Sequence, residues 1–229
     1  MKRMIKKEEA GHLFLKVAGI TLVLIGLLLN AATALGKESY EDYMKRGLTF
    51  SDKGQHDQAI ADFTKAIELD PRQATAYYLR GTAYFKESQY EQAIADFTKT
   101  IELEPKAGPA YYARGTAYLR NDQYDQALAD ANKVIELYPK AAPAYGFRGT
   151  AYLGKRQYNQ AITDANKAIE LEPKNPDHYY LKASVYEGMK RTKEAIAAYR
   201  DFIKYAPPER ASQIEKAKEN IAELEKQQL

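Results

Sequence analysis

Apolar and polar positions recur along most of this chain with a period of 34 residues. Five segments open at Tyr43, Tyr77, Tyr111, Tyr145 and Tyr179 and carry the same residue classes at the same offsets. Within each segment the apolar residues are spaced by about 3, 4 and 7 positions, which places them on one face of an α-helix. Repetition at a fixed period indicates stacked repeats rather than a single globular core.

Small residues and prolines mark where the helices of each unit meet and end. A Gly or Ala that lets two helices approach closely stands four residues after the opening Tyr: Gly47, Gly81, Gly115, Gly149 and Ala183. A Pro, which cannot donate a backbone hydrogen bond, closes each unit: Pro71, Pro105, Pro139, Pro173 and Pro207. Three more prolines stand where the next helix begins, a position that tolerates proline: Pro109, Pro143 and Pro176. Each unit is therefore predicted to be a helical hairpin.

The order of an aromatic, a Gly, a Tyr, an Ala, a Phe and a terminal Pro over 34 residues resembles the tetratricopeptide-repeat (TPR) family. The alanine column is Ala59, Ala93, Ala127, Ala161 and Ala195, and the next column is Phe63, Phe97, Ala131, Ala165 and Tyr199. The resemblance covers residues 40–209 and implies an all-α, right-handed superhelical solenoid of five helix-turn-helix repeats. The predicted repeats are 40–73, 74–107, 108–141, 142–175 and 176–209.

The C-terminal segment, residues 210–229, is predicted to be a capping helix. Its apolar stripe consists of Ile214, Ala217, Ile221 and Leu224, and Glu, Lys and Gln cover the remaining faces. One apolar face suits the end of a stack of repeats, because the last hairpin would otherwise expose its core to water. We expect the segment from Pro208 onward to form one continuous helix.

Four arginines precede the small residue of their unit, and each has an Asp 16 residues later. The pairs are Arg46 with Asp62, Arg80 with Asp96, Arg114 with Asp130 and Arg148 with Asp164. In the fifth unit both members change, to Lys182 and Ala198. This joint loss predicts a bridge between the two helices of a hairpin. The alternative is a basic stripe that binds an acidic ligand.

The first 36 residues have the pattern of an export signal. Residues 2–7 are mostly basic, residues 17–29 are an apolar run of 13 residues, and an A-x-A cleavage pattern ends at Ala34. The pattern predicts a cleaved signal peptide or, if uncleaved, an N-terminal membrane anchor. In both cases the basic flank stays in the cytoplasm and the repeats are exported. We therefore expect a periplasmic or secreted protein, or one anchored by a single N-terminal helix.

Composition argues against several classes of function. The net charge of +3 comes from the first 34 residues, and the rest of the chain is balanced, so no nucleic-acid partner is expected. There is no Cys and there are only three His, which leaves few ligands for a metal site and few groups for catalysis. His56 stands where the next units carry Tyr90, Tyr124 and Tyr158 and is interpreted as a packing substitute, whereas His178 is expected to be solvated. The sequence predicts no catalytic residue, cofactor or metal.

The resemblance implies a partner-binding groove along the first helix of each hairpin. The predicted groove residues are Tyr78, Leu79, Thr82, Phe85, Tyr112, Thr116, Leu119, Arg120, Phe147, Thr150, Leu153, Tyr180, Leu181 and Ser184. The alternative for any one Tyr is packing against the neighbouring hairpin. Some TPR proteins clamp the C-terminal carboxylate of a chaperone with Lys, Asn and Arg. The positions that match that clamp are apolar here, so no such ligand is expected: Met44, Leu48, Leu79, Pro109 and Ala113.

These features predict a non-enzymatic scaffold or adaptor of the cell envelope that binds a protein or peptide segment in the groove. One alternative is an accessory subunit of an envelope complex, held through the convex face or the cap. A further alternative is a non-catalytic regulator of a cell-wall enzyme. The pattern neither requires nor excludes self-association.

Overall fold

The computed structural model describes residues 38–226; the predicted signal or anchor segment, residues 1–36, and residues 227–229 lie outside it. The helices in this range are α1 (Tyr40–Asp52), α2 (His56–Leu69), α3 (Ala74–Lys86), α4 (Tyr90–Leu103), α5 (Gly108–Arg120), α6 (Tyr124–Leu137), α7 (Ala142–Gly154), α8 (Tyr158–Leu171), α9 (Pro176–Gly188), α10 (Thr192–Tyr205) and α11 (Ala211–Lys226). None of these helices combines the length and the apolar character needed to cross a membrane.

Consecutive helices pack in pairs, and the pairs stack. Helices α1 and α2 form hairpin 1, and the following pairs form hairpins 2 to 5, each of which packs on the next through its neighbouring helices. No strand occurs among residues 38–226. The predicted all-α solenoid of five hairpins with a C-terminal cap is confirmed. The three prolines predicted near helix starts lie in the first turns of α5, α7 and α9.

Each hairpin turns through one residue in the left-handed backbone region. The residue is glycine in hairpin 1, where Gly54 has φ of 72°. The equivalent residues of the other hairpins carry side chains and have φ between 54° and 59°: Ser88, Asp122, Arg156 and Lys190. A non-glycine residue in this region costs about 1 kcal/mol or more, so the packing of the two helices imposes the turn on these four positions.

Alanines fill the interface between the two helices of every hairpin. The five alanines of the repeat column are completely buried: Ala59, Ala93, Ala127, Ala161 and Ala195. Their small side chains let the paired helices approach closely, as the sequence pattern requires. The next core position lies one helical turn later. Hairpins 1 and 2 carry a bulky residue there, whereas hairpins 3 and 4 receive a bulky side chain from the following hairpin.

In hairpins 1 and 2, the glycine at the helix crossing is covered by a Phe of the same hairpin. A Cβ placed on Gly47 would lie 2.7 Å from the Phe63 ring, and one on Gly81 would lie 3.0 Å from Phe97. Both phenyl groups are completely or almost completely buried. The first two crossings are therefore filled from within their own hairpin.

In hairpins 3 and 4, the corresponding residues of α6 and α8 are Ala131 and Ala165, and the next hairpin supplies the bulk. The Phe147 ring covers Gly115, and Leu181 Cδ2 lies 2.9 Å from the Cβ position of Gly149. Phe147 packs in one cluster with Ala131, and Leu181 packs in another with Ala165. These two crossings are completed by the hairpin that follows.

Helix α11 closes the stack, as predicted. Ala217 and Leu224 are buried in the core of hairpin 5, and Ile214 and Ile221 pack against it. The expectation of one continuous helix from Pro208 onward was wrong, because Pro208–Arg210 form a 3-10 turn before α11 begins at Ala211. In this turn, Arg210 forms an ion pair with Asp177 at the start of α9.

Candidate partner-binding groove

The first helix of each hairpin lies on the inner side of the solenoid. Helices α3, α5, α7 and α9 contact one another in succession, and the second helices make no comparable contacts. Elements on the inner side of a curved stack come closest together, so the surfaces of these four helices line the concave face. All fourteen predicted groove residues lie on these helices.

Tyrosines form a ladder along this face, and each packs on buried rings. Tyr78 lies 5.7 Å from Phe97 and Tyr112 lies 5.3 Å from Phe147, measured between ring centroids. Tyr180 contacts Tyr199 and Phe202 at 5.5 and 5.2 Å. Tyr112 is still 40% exposed, so its ring serves packing and presents a surface to solvent.

Hydroxyl groups alternate with this ladder, and all of them donate to their own helix. Thr82, Thr116, Thr150 and Ser184 donate to the carbonyl oxygens four residues earlier, at 2.8, 2.8, 3.0 and 3.1 Å. A hydroxyl that has used its proton in this way can only accept a further hydrogen bond. The groove therefore presents hydroxyl oxygens as acceptors to an incoming group.

Several predicted groove residues line two adjoining recesses. A recess of about 210 Å³ between hairpins 2 and 3 is lined by Tyr78, Thr82, Phe85, Phe97, Tyr112, Ala113 and Thr116. A larger one of about 360 Å³ spans hairpins 3 to 5, and its walls include Tyr112, Thr116, Leu119, Phe147, Thr150 and Leu181. Tyr112 and Thr116 line both, so the two recesses adjoin at these residues. Tyr180 lines a third recess of about 350 Å³ beside the cap.

Other predicted residues are placed differently. Phe147 and Leu181 are only 5% and 7% exposed, because they fill the crossings of the preceding hairpins, and only an edge of each reaches the large recess. Leu79 and Leu153 pack against the cores of hairpins 1 and 4. None of the recesses described above is lined by Arg120, an exposed residue at the end of α5, or by Ser184. Partner contact stays a prediction for all fourteen residues, and the burial of Phe147 and Leu181 leaves little of their surface for it.

The expectation that His178 is solvated was wrong. Its side chain is buried, with 4% of the residue exposed. The ring lies against Gly146, with Nδ1 3.3 Å from that residue's Cβ position, and Nε2 lies 3.4 Å from the Glu172 carboxylate. Burial lowers the pKa of His178 below its ordinary value, an effect that Glu172 and Asp177 partly oppose. The imidazole is therefore neutral at pH 7.

The predicted Arg–Asp bridges are present in hairpins 1 to 4. Each arginine donates from Nε and Nη2 to both oxygens of its Asp, at distances from 2.6 to 2.9 Å. In hairpins 2 to 4, Nη1 also donates to a side chain of the preceding hairpin: Thr64, Thr98 or Asn132. These guanidinium groups are committed to internal partners, so the interpretation as a basic stripe for a ligand is not supported.

Tyrosine rings flank the same arginines. Arg80 lies 5.8 Å from the centroids of both Tyr77 and Tyr84, and Arg114 and Arg148 have equivalent neighbours. Cation–π contact adds to the ion pair at such distances. In hairpins 1 to 4 the opening Tyr therefore stabilises the bridge.

Across residues 38–226 there is no group of three or more His, Cys, Asp or Glu side chains that could hold a metal ion. His56 begins α2 at the position where Tyr90, Tyr124 and Tyr158 begin α4, α6 and α8. What the concave face offers is aromatic surface, hydroxyl and imidazole acceptors and one carboxylate. These groups suit the recognition of another chain.

Known structures share this architecture. MamA from Desulfovibrio magneticus RS-1 is 22% identical, with a TM-score of 0.66 over 79% of this chain and 97% of that one. YrrB, described as a TPR protein with an unusual peptide-binding site, is 24% identical, with a TM-score of 0.62 over 78% and 92% of the two chains. A tetratricopeptide repeat protein from Parabacteroides merdae ATCC 43184 is 20% identical, with a TM-score of 0.70 over 82% and 73%.

Family comparisons agree with the fold. A TPR repeat model matches residues 47–88, and tetratricopeptide repeat models match residues 74–107, 108–141 and 147–211. No curated protein matches the sequence. The repeat matches together span most of the chain, and this chain therefore belongs to the tetratricopeptide-repeat family, a family of non-catalytic scaffolds that bind other proteins.

Proposed function

We propose that this scaffold acts in the cell envelope and binds an extended segment of a protein partner in the groove along α3, α5, α7 and α9. The observation that carries the proposal is that the two recesses adjoin along the concave face, with Tyr112 and Thr116 in the walls of both. A row of adjoining recesses across four hairpins accommodates an extended chain rather than one compact ligand.

The chemistry of the groove supports a peptide segment. Half-exposed aromatic rings provide apolar contact area, and the hydroxyl oxygens accept from backbone or side-chain N–H and O–H groups. YrrB, of similar fold, is described as having a peptide-binding site. The envelope location rests on the sequence pattern of residues 1–36.

The test is capture of partners from an envelope extract by the full-length protein and two double variants. The groove variant, Thr116→Lys with Thr150→Lys, places two long cationic side chains in the groove without emptying the core. The matched control, Ala95→Lys with Ala129→Lys, adds the same two cationic side chains at exposed positions of α4 and α6. Circular dichroism establishes that both variants are folded.

A partner that is retained by the wild type and the control but lost from the groove variant supports the proposal. A partner retained equally by all three places the contact on the convex face or the cap, and indicates a structural subunit. Cell fractionation tests the location, since a protein confined to the cytoplasm would contradict the envelope role.

A further inference from the structure

The tyrosine ladder has one gap. Tyr78, Tyr112 and Tyr180 share one position of the repeat, and hairpin 4 has Gly146 there. The repeat position occupied by alanine in hairpins 2 to 4 also changes once, to His178 in hairpin 5. The two changes meet in space, because the imidazole lies against Gly146.

The imidazole does not refill the space that the missing tyrosine leaves. The 360 Å³ recess lies at this gap, and both Gly146 and His178 line it. Its walls include the aromatic pair of Tyr112 and Phe147, with Thr150 at its rim. This volume is at the small end for ligand sites, so the recess suits one side chain rather than a larger molecule.

Three polar groups in the recess, the hydroxyls of Thr116 and Thr150 and Nδ1 of His178, are hydrogen-bond acceptors. Thr116 and Thr150 have already donated their protons to carbonyl oxygens. For His178, the Glu172 carboxylate 3.4 Å from Nε2 favours the tautomer with its proton on Nε2. This leaves a lone pair on Nδ1, on the side that faces Gly146. The ligand should therefore bring an O–H or N–H donor.

The charge of the recess favours a neutral group over a cation. Its one acidic lining residue is Asp177, whose carboxylate receives two bonds from Arg210. The neutral imidazole adds no charge. An arginine or lysine side chain would have to compete with Arg210 for the one carboxylate of the lining, whereas an aromatic ring can pack on the apolar walls that include Tyr112 and Leu181.

We propose that this recess binds a tyrosine side chain of the partner segment, whose ring completes the ladder at Gly146 and whose hydroxyl donates to Nδ1 of His178. The inference rests on the proposed groove function and specifies the chemistry that the groove recognises. It also gives the pair Gly146 and His178 a role that packing alone does not require, since Tyr78 with Ala110 leaves only smaller recesses, of about 270 and 210 Å³, at the joint of hairpins 2 and 3.

The test uses the full-length protein labelled with ¹⁵N-glycine and three probes: N-acetyl-tyrosinamide, N-acetyl-phenylalaninamide and N-acetyl-argininamide. Gly146 and Gly149 report on the recess, and Gly54 in the first turn is the remote control. We expect the tyrosine probe to shift the two reporter amides saturably and to leave Gly54 unchanged. The phenylalanine probe should bind about fivefold more weakly, because it lacks the hydroxyl.

Two variants make the assignment specific. Gly146→Tyr with His178→Ala recreates the Tyr–Ala arrangement of the preceding hairpins, so it should fold and weaken the Gly149 response at least tenfold. Tyr78→Gly with Ala110→His transfers the gap to the joint of hairpins 2 and 3, and should create a new response at Gly81.

Equal binding of all three probes, stronger binding of the arginine probe, or an unchanged Gly149 response in the Gly146→Tyr, His178→Ala variant would overturn the inference. Failure here is distinguishable from failure of the groove function. A partner that is lost from the Thr116→Lys, Thr150→Lys variant but retained by the filled-recess variant leaves the groove proposal intact and removes only the tyrosine site.

Discussion

Hairpins 1 and 2 differ from hairpins 3 and 4 in how the helix crossing is filled. In the first two, Phe63 and Phe97 cover the glycines of their own hairpins. In the next two, those positions hold alanine, and Phe147 and Leu181 reach back from the following hairpin. The space at the helix crossing is filled in all four hairpins, by the hairpin itself in hairpins 1 and 2 and by the following hairpin in hairpins 3 and 4.

The difference changes how the units depend on one another. A repeat protein is stabilised by the intrinsic stability of each unit and by the contacts between neighbours. When the Phe that fills a crossing belongs to the next hairpin, its packing contributes to the contacts between neighbours and no longer to the intrinsic stability of the hairpin it covers. Hairpins 3 and 4 should therefore depend on their successors more than hairpins 1 and 2 do.

The largest expected effect is on the joint between hairpins 3 and 4. Phe147→Ala should lower the free energy of unfolding by about 3–5 kcal/mol, because it removes a buried ring and leaves a cavity beside Ala131. Adding Ala131→Phe should recover most of the loss, since the pair then reproduces Phe97 and Ala113 of the preceding joint. Urea unfolding followed by circular dichroism gives the midpoints.

The single variant Ala131→Phe is the control, and it should destabilise by about 1–3 kcal/mol through overpacking. If Ala131→Phe with Phe147→Ala is no more stable than Phe147→Ala alone, the two filling arrangements are not interchangeable. The contrast between the halves would then reflect backbone geometry rather than the choice of side chain.

Removing an Arg–Asp ion pair should lower the free energy of unfolding by a smaller amount. The loss should be larger where the arginine is less exposed. Asp96→Ala leaves Arg80, whose side chain is 18% exposed, without its partner, whereas Asp62→Ala leaves Arg46, which is 42% exposed. Losing one member of a fully buried pair costs about 3–5 kcal/mol. We expect about 2–3 kcal/mol for Asp96→Ala, because Arg80 is partly solvated, and a smaller loss for Asp62→Ala.

Unfolding midpoints of the two variants check this order. Lys182 and Ala198 show that the fifth hairpin folds without the pair. If Asp62→Ala and Asp96→Ala lower the free energy of unfolding equally, exposure of the arginine does not determine the loss. If Asp96→Ala leaves it unchanged, the bridge does not stabilise the fold.

The repeat fold could be predicted because each feature that defines it depends on the residue type at a single position of the repeat. Gly81 permits a close helix crossing and Pro105 ends a unit, whatever the rest of the chain does. The Arg–Asp bridges were also predictable, since Lys182 and Ala198 change together. Such features need only local physics and the comparison of equivalent positions.

No single position of the repeat shows whether a helix crossing is packed by a side chain of its own hairpin or by one from the next hairpin. By its own position in the repeat, Phe147 is predicted to be a groove residue. Its packing role becomes apparent only because Ala131 replaces the Phe that hairpins 1 and 2 carry at the equivalent position. Gly146 and His178 also change together at two different positions of the repeat, although the imidazole replaces only part of the missing tyrosine. A comparison of pairs of repeat positions for such joint changes would have identified both cases and would have predicted that His178 is buried.

The smallest expected effect is the dependence of stability on pH through His178. Burial lowers the pKa of its imidazole below the ordinary value of 6.5, and Glu172 and Asp177 oppose the shift. The folded protein therefore binds fewer protons than the unfolded chain near that pH. Its stabilising contribution is complete above pH 6.5 and is lost as the pH falls through the lowered folded-state pKa.

His178→Gln removes this titration and keeps a polar side chain. The difference in unfolding free energy between wild type and variant should shrink between pH 7.5 and pH 5, with a slope below about 1.4 kcal/mol per pH unit for one proton. Asn175 and Arg210 do not titrate in this range, so Glu172 and Asp177 are the neighbours whose charges oppose the effect. A difference that grows as the pH falls would mean that these carboxylates dominate and that the imidazole is stabilised as a cation in the folded protein.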